Sequence, residues 1–146
     1  MLKQTQRRPS SGTRRTGYVF AIVFNAAALF AIHSWPGWQQ VPFVTSETEQ
    51  VLGWITAALI TGLGANFVYL LADPPWLKSL GDLVVTGVGL GAIVRVWQVF
   101  PFDFGDASFD WALLVRILLA VSFFGSIVAM LVQFVMLVAA GSRARR

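Results

Sequence analysis

Apolar and polar positions in this chain fall into long blocks, without the strict alternation of a half-buried strand or the helical spacing of a surface helix. A polar, basic opening over residues 1–17 (MLKQTQRRPSSGTRRTG) gives way to four apolar stretches, 18–34, 51–72, 80–100 and 109–141, before a basic end at 142–146. The stretches 18–34 and 51–72 contain no Asp, Glu, Lys or Arg. A bilayer core of about 30 Å demands roughly 20 apolar residues of helix, so each block predicts one membrane span. Hydrocarbon offers irregular backbone no hydrogen-bond partner, which makes each span a helix with its bonds closed internally. The last block is longer than a span requires. Its charge-free part, 117–141, crosses alone and leaves 109–116 as a helical extension at the outer interface. Trp35, Trp38, Trp54, Trp76, Trp97 and Trp111 all fall close to predicted span ends, where amphipathic rings settle.

Composition supports lipid as the solvent. The chain is 56% hydrophobic and 12% charged, against about 45–50% and roughly 25% in soluble domains. With 146 residues it forms one domain too small to hide that much apolar surface from water. The absence of cysteine excludes disulfides, thiolate catalysis and Cys-type metal sites. Basic residues ahead of an apolar run also open a signal peptide. Here Trp35-Pro36-Gly37-Trp38 stands where a small-residue cleavage site belongs, so the first span is retained.

Orientation follows from the basic residues. Lys3, Arg7, Arg8, Arg14 and Arg15 precede the first span, Lys78 lies between the second and third, and Arg143, Arg145 and Arg146 follow the fourth. The other connections, 35–50 and 101–108, hold no Lys or Arg but carry Glu47, Glu49, Asp103 and Asp106. The positive-inside rule puts both termini and the 73–79 turn in the cytoplasm. The short, stiff Asp73-Pro74-Pro75-Trp76 turn makes the second and third spans antiparallel neighbours. The expected fold is all-α: an up-down-up-down, four-helix integral membrane bundle with N and C termini cytoplasmic. It divides into a disordered basic tail (1–17), a four-span domain (18–141) and a basic tail (142–146). The plasma membrane, with the charge pattern of a bacterial inner membrane, is the expected location. Basic residues gathered beside apolar segments suit anionic lipid rather than nucleic acid.

Small residues mark candidate packing faces. Gly87 and Gly91 in the third span have small-xxx-small spacing, Ala58, Gly62 and Asn66 share a face of the second, and Gly125 and Ala129 mark the fourth. Such residues let helix backbones approach closely, either within one bundle or between copies in a homo-oligomer. Polar residues inside spans form two further groups. Counted inward from the cytoplasmic ends, Asn25, Asn66 and Gln133 lie roughly 9–12 Å deep, so they can share one hydrogen-bonded layer. This layer reads either as glue between helices or as a substrate site. Between Asp82 and Arg95 the rise is only about 18 Å against a core of about 30 Å, so one of these charges lies at hydrocarbon depth. Arg95 and Arg116 sit at a similar outer level. Either they pair with Asp103, Asp106 and Asp110, or they form a cationic outer vestibule for an anion or lipid headgroup. Asp82 stands four residues from Lys78 on one helix face.

His33, the chain's one histidine, reads as an interfacial polar residue rather than a metal ligand. No paired carboxylates at helical spacing, nucleophile elbow or phosphate loop is present, and the Thr-Gly-x-Gly pieces at 61–64 and 86–89 lie inside spans. The expectation is a non-enzymatic membrane protein without catalytic, cofactor-binding or metal residues. It serves as a structural or accessory subunit that partners itself or another membrane protein. The alternative is a small oligomeric channel or transporter using Arg95, Arg116, Asp82 and Asn66.

Overall fold

A computed structural model describes residues 8–145. Among them the chain folds into four long helices, α1 (Ser11–His33), α2 (Glu49–Leu71), α3 (Pro75–Val99) and α4 (Trp111–Ala144). Each is long and apolar enough to cross a membrane. There is no strand among the described residues. The expected tail residues Lys3 and Arg7, and Arg146 at the other end, lie outside them.

Local chemistry sets the helix ends. Helix α1 begins at Ser11 rather than Tyr18, so residues 11–17 are helical and not a disordered tail. Ser10 caps it, its Oγ accepting from the Thr13 N–H at 3.3 Å. The apolar pattern misses this first turn because polar residues build it and a contact with Asp73, described below, holds it. Pro75 opens α3 at a position where a missing N–H costs nothing. Asp110 caps α4, its Oδ1 accepting from the Leu113 N–H at 2.9 Å. The helix then runs unbroken through Ala144, three residues past the expected span end at Gly141. Its 34 residues reach about 50 Å, well beyond a core of about 30 Å.

Packing runs in series: α1 against α2, α2 against α3, and α3 against α4. Helices α1 and α4 make no comparable contact. The bundle therefore consists of three seams, and two of them are cut to shape by glycine. At the α1–α2 seam, a Cβ on Gly62 would meet the Asn25 amide oxygen at 3.1 Å. At the α2–α3 seam, the Trp54 ring occupies the space a Cβ on Gly91 would need. Gly87, one turn away, meets only the Met130 methyl of α4, at an ordinary 3.8 Å. The Gly87/Gly91 pair thus serves two different neighbours within the chain. Gly125, expected to pack, is exposed with nothing within 4 Å, whereas Ala129 is half-buried.

Few side chains are buried among the described residues: Tyr18, Thr48, Val51, Tyr69, Ala92 and Pro101. Large apolar groups such as Phe124, 67% exposed, line the outside of α4. That inversion suits hydrocarbon as the surrounding medium.

Replacing Gly91 with Leu should displace Trp54 and cost about 1–3 kcal/mol, the usual penalty for overpacking a formed seam. Gly125→Leu should be neutral within about 0.5 kcal/mol, as for surface changes elsewhere. Reversible unfolding in mixed micelles measures both. Equal stability of the two variants would show that Trp54 does not depend on Gly91.

Candidate functional site

The richest polar chemistry gathers where the first turns of α1 meet the connection between α2 and α3. Asp73 is its centre. Its Oδ2 accepts from Arg14 Nε at 2.7 Å and from the Tyr18 hydroxyl at 3.0 Å. Arg8 Nη2 donates to the Asp73 backbone carbonyl at 2.7 Å and lies 3.6 Å from Oδ2. The turn places this carboxylate between helices because Pro74 and Pro75 supply no N–H donors, leaving the α1 side chains to satisfy it. The Arg14 hydrogen bond lowers the Asp73 pKa below its ordinary value, more than burial raises it, and the Tyr18 bond adds to the lowering.

A second acid–tyrosine pair stands beside the first. Lys78 Nζ donates to Asp82 Oδ2 at 2.6 Å, joining two residues that helical spacing puts on one face of α3. The Tyr69 hydroxyl, from α2, lies 3.1 Å from both Asp82 Oδ1 and the Lys78 carbonyl and has one proton to share between them. That hydroxyl fills the space a Cβ on Gly81 would need, so glycine is required where α2 reaches α3. Lys78 Nζ also sits 5.2 Å from the Tyr69 ring centre, and the Tyr18 and Tyr69 rings meet at 5.5 Å. The two acids, three cations and two tyrosines therefore form one connected group.

Sequence reasoning singled out only Asp82 and Lys78 here. The signal available for the rest was the tyrosines. The chain has two, both at this end, and a Tyr ring combines an apolar body with a hydroxyl suited to an interface.

The three amides do not form the expected common layer. Asn25 Nδ2 donates to the Ala21 carbonyl and Asn66 Nδ2 to the Gly62 carbonyl, each at 2.7 Å within its own helix. Short amide side chains readily reach the carbonyl one turn back. Asn25 and Asn66 meet only through Gly62, against which Asn25 packs. Gln133 is out of their reach because α4 packs on α3, and its Nε2 donates to Thr86 Oγ1 at 3.1 Å. The Gln133 Oε1 atom is buried without a partner among the described residues.

At the opposite ends of the helices the two long connections are tied together. Thr45 N–H donates to the Pro101 carbonyl at 3.0 Å, and Asp103 N–H donates to the Phe43 carbonyl at 2.9 Å. These bonds form an isolated antiparallel bridge between Val44 and Phe102, flanked by Phe43, Phe104 and Phe100 rings. His33 at the end of α1 shares a 2.8 Å hydrogen bond with Thr56 of α2. Neither arginine is within ion-pairing distance of Asp103, Asp106 or Asp110 among the described residues, contrary to the expected pairing. Arg116 instead lies 4.1 Å from the Phe100 ring centre and 5.5 Å from that of Trp97. Phe100 ends α3 in the left-handed region at φ 44°, ahead of Pro101, and this turns its ring toward α4. Arg95 faces the α2 side, with Nε 3.4 Å from the Gln50 carbonyl and Nη1 3.5 Å from Gln98 Oε1. The two arginines share no partner, so the structure does not bring them into one vestibule.

Among the described residues no group of three or more His, Asp or Glu is placed to hold a metal ion. The fold defines an all-helical, multi-pass membrane class. Compared with known proteins, the chain matches no family model, no curated sequence and no solved structure.

Replacing Asp73 with Ala should release Arg14 and Tyr18 and raise amide hydrogen exchange across 14–18 several-fold. Acid should act similarly on the unaltered protein. Because the folded pKa of Asp73 is lowered, its stabilising contribution is complete above the unfolded carboxylate value of about 3.9. It is lost as pH falls through the lower folded value. Exchange rates corrected for intrinsic pH dependence test both statements; protection independent of Asp73 and of acid would remove Asp73 from its central role.

Proposed function

We propose that this chain is a non-enzymatic accessory or structural subunit of a larger membrane assembly. The serial packing carries this reading. Among the helices, α4 packs extensively on α3 only, and no residue of its apolar stretch is buried. An open groove of about 360 Å³ runs between α3 and α4, walled by Ile93, Val94, Trp97, Leu119, Phe123 and Phe124. Helices in lipid associate by close packing of such surfaces, so a further apolar helix is the partner it suits. The polar groups described above bond mainly to one another at the helix ends. A photo-crosslinking residue at Phe124 in cells should give one defined protein adduct. Recovery of lipid adducts alone would count against a subunit role.

We further propose an up-down-up-down arrangement in the cell membrane with both termini and the Asp73 turn cytoplasmic. Support comes from the contacts Arg14–Asp73, Asn25–Gly62 and His33–Thr56, which run in opposite chain senses along α1 and α2. The distribution of Lys and Arg supplies the direction. Because the chain lacks cysteine, each introduced thiol is unique. In intact cells a membrane-impermeant maleimide should label Ser34→Cys and Ser108→Cys but spare Ser10→Cys, Ser79→Cys and Ser142→Cys until the membrane is opened. Labelling on the same side at Ser34 and Ser79 would defeat this arrangement.

A further inference from the structure

The cluster around Asp73 does not use all of its hydrogen-bonding capacity. A cleft of about 440 Å³ opens beside it, lined by Arg8, Thr13, Arg14, Gly17, Tyr18 and Lys78. Three cations face two carboxylates, Asp73 and Asp82, so one positive charge remains in excess. A guanidinium carries five N–H donors and an ammonium three. Arg8 uses Nη2 on the Asp73 carbonyl, and its Nε and Nη1 have no partner among the described residues. Arg14 uses Nε on Asp73 and Nη1 on the Pro9 carbonyl, leaving Nη2 without a partner among them. Lys78 spends one bond on Asp82.

These donors come from residues far apart in the chain and are partly fixed by their bonds to the two acids. Arg14, at 20% side-chain exposure, is the most sheltered of the three cations. Gly17 leaves its part of the wall open, with nothing within 4 Å of the space a Cβ would take. Arginine favours the oxygens of phosphate through paired N–H donors, and lysine adds a point charge.

We propose that this cleft binds a phosphate group, carried by the headgroup of an anionic lipid or by a free phosphate compound, with Arg8, Arg14 and Lys78 as its donors. The site narrows a general attraction of basic tails for anionic lipid to three side chains and one cleft. It does not rest on the accessory-subunit reading, and its failure would leave the crosslinking and thiol-labelling experiments untouched.

The test uses the full chain in nanodiscs of equimolar phosphatidylcholine and phosphatidylglycerol, with native mass spectrometry reading the lipids retained. The unaltered protein should retain phosphatidylglycerol several-fold over phosphatidylcholine. Arg8→Gln removes charge from an exposed side chain, and Gly17→Leu fills the cleft without touching an ion pair. Each should reduce that preference several-fold, and Gly17→Leu, which removes none of the cluster's bonds, should leave helicity and the unfolding midpoint unchanged. Titration of inorganic phosphate into lipid-free micelles separates the two sources. Binding there, weakened by the same two variants, identifies free phosphate as sufficient, whereas lipid retention without it identifies the headgroup. Equal retention of both lipids with no phosphate binding, or a preference that survives either substitution, overturns the proposal.

Discussion

A chain in hydrocarbon has only itself with which to satisfy its backbone N–H and C=O groups, and this constraint organises the whole molecule. It forces regular helices through the core and pushes every irregular segment to the ends. The two ends then solve the same problem differently. At the Asp73 turn, Arg8 ahead of α1 and Arg14 within it converge on a connection whose two prolines cannot donate. At the other ends, the connections donate to each other through Val44 and Phe102 and cover the bridge with phenylalanine rings.

The same constraint explains the behaviour of the intramembrane polar groups. Asn25 and Asn66 turn back onto their own helices, and Gln133 finds a threonine on the neighbouring helix. A side-chain amide donates readily to the carbonyl one turn back, while Gln133 keeps a buried Oε1 without a partner among the described residues. Arg116 cannot be satisfied so cheaply. It uses the negative faces of Phe100 and Trp97, an interaction worth about 0.5–2 kcal/mol depending on how far the charge is desolvated. The left-handed backbone at Phe100 is tied to this contact, since it ends α3 and presents the ring.

Much of this architecture was legible in the chain because length and lack of charge are strong signals for helices in lipid. The four helices follow the four apolar blocks, and the Lys78–Asp82 pair follows from helical spacing. Boundaries failed where polar residues extend a helix, as at 11–17, since apolar runs report burial in lipid and not helix ends. Contacts between distant residues were hidden for a different reason. Nothing local to Tyr18, Asp73 or Phe43 names its partner, and depth alone does not reveal that α4 packs chiefly on α3, away from Asn25 and Asn66. Proximity in sequence likewise suggested Asp103, Asp106 and Asp110 as partners for the arginines, but the loop that carries them turns toward Phe43 instead.

Small residues show why pattern alone underdetermines packing in a membrane. Gly62, Gly91 and Gly125 look equivalent in sequence, yet one seats an asparagine, one seats a tryptophan and one touches nothing within 4 Å. The difference arises from the order of the seams. Helices α2 and α3 each pack on two neighbours, and Gly62, Gly81 and Gly91 on their packed faces meet large side chains, whereas α4 packs chiefly on α3 and an added Cβ at Gly125 would meet nothing within 4 Å. Glycine shapes the two seams that involve α2, where it admits Asn25, Trp54 and Tyr69. The α3–α4 seam is as extensive, but it is built without a glycine notch: Gly87 meets Met130 at an ordinary distance, Gln133 bonds Thr86, and Arg116 lies against Trp97. A helix packed chiefly along one seam, with none of its apolar stretch buried and longer than the bilayer requires, is the element of this fold most free to gain from a further neighbour.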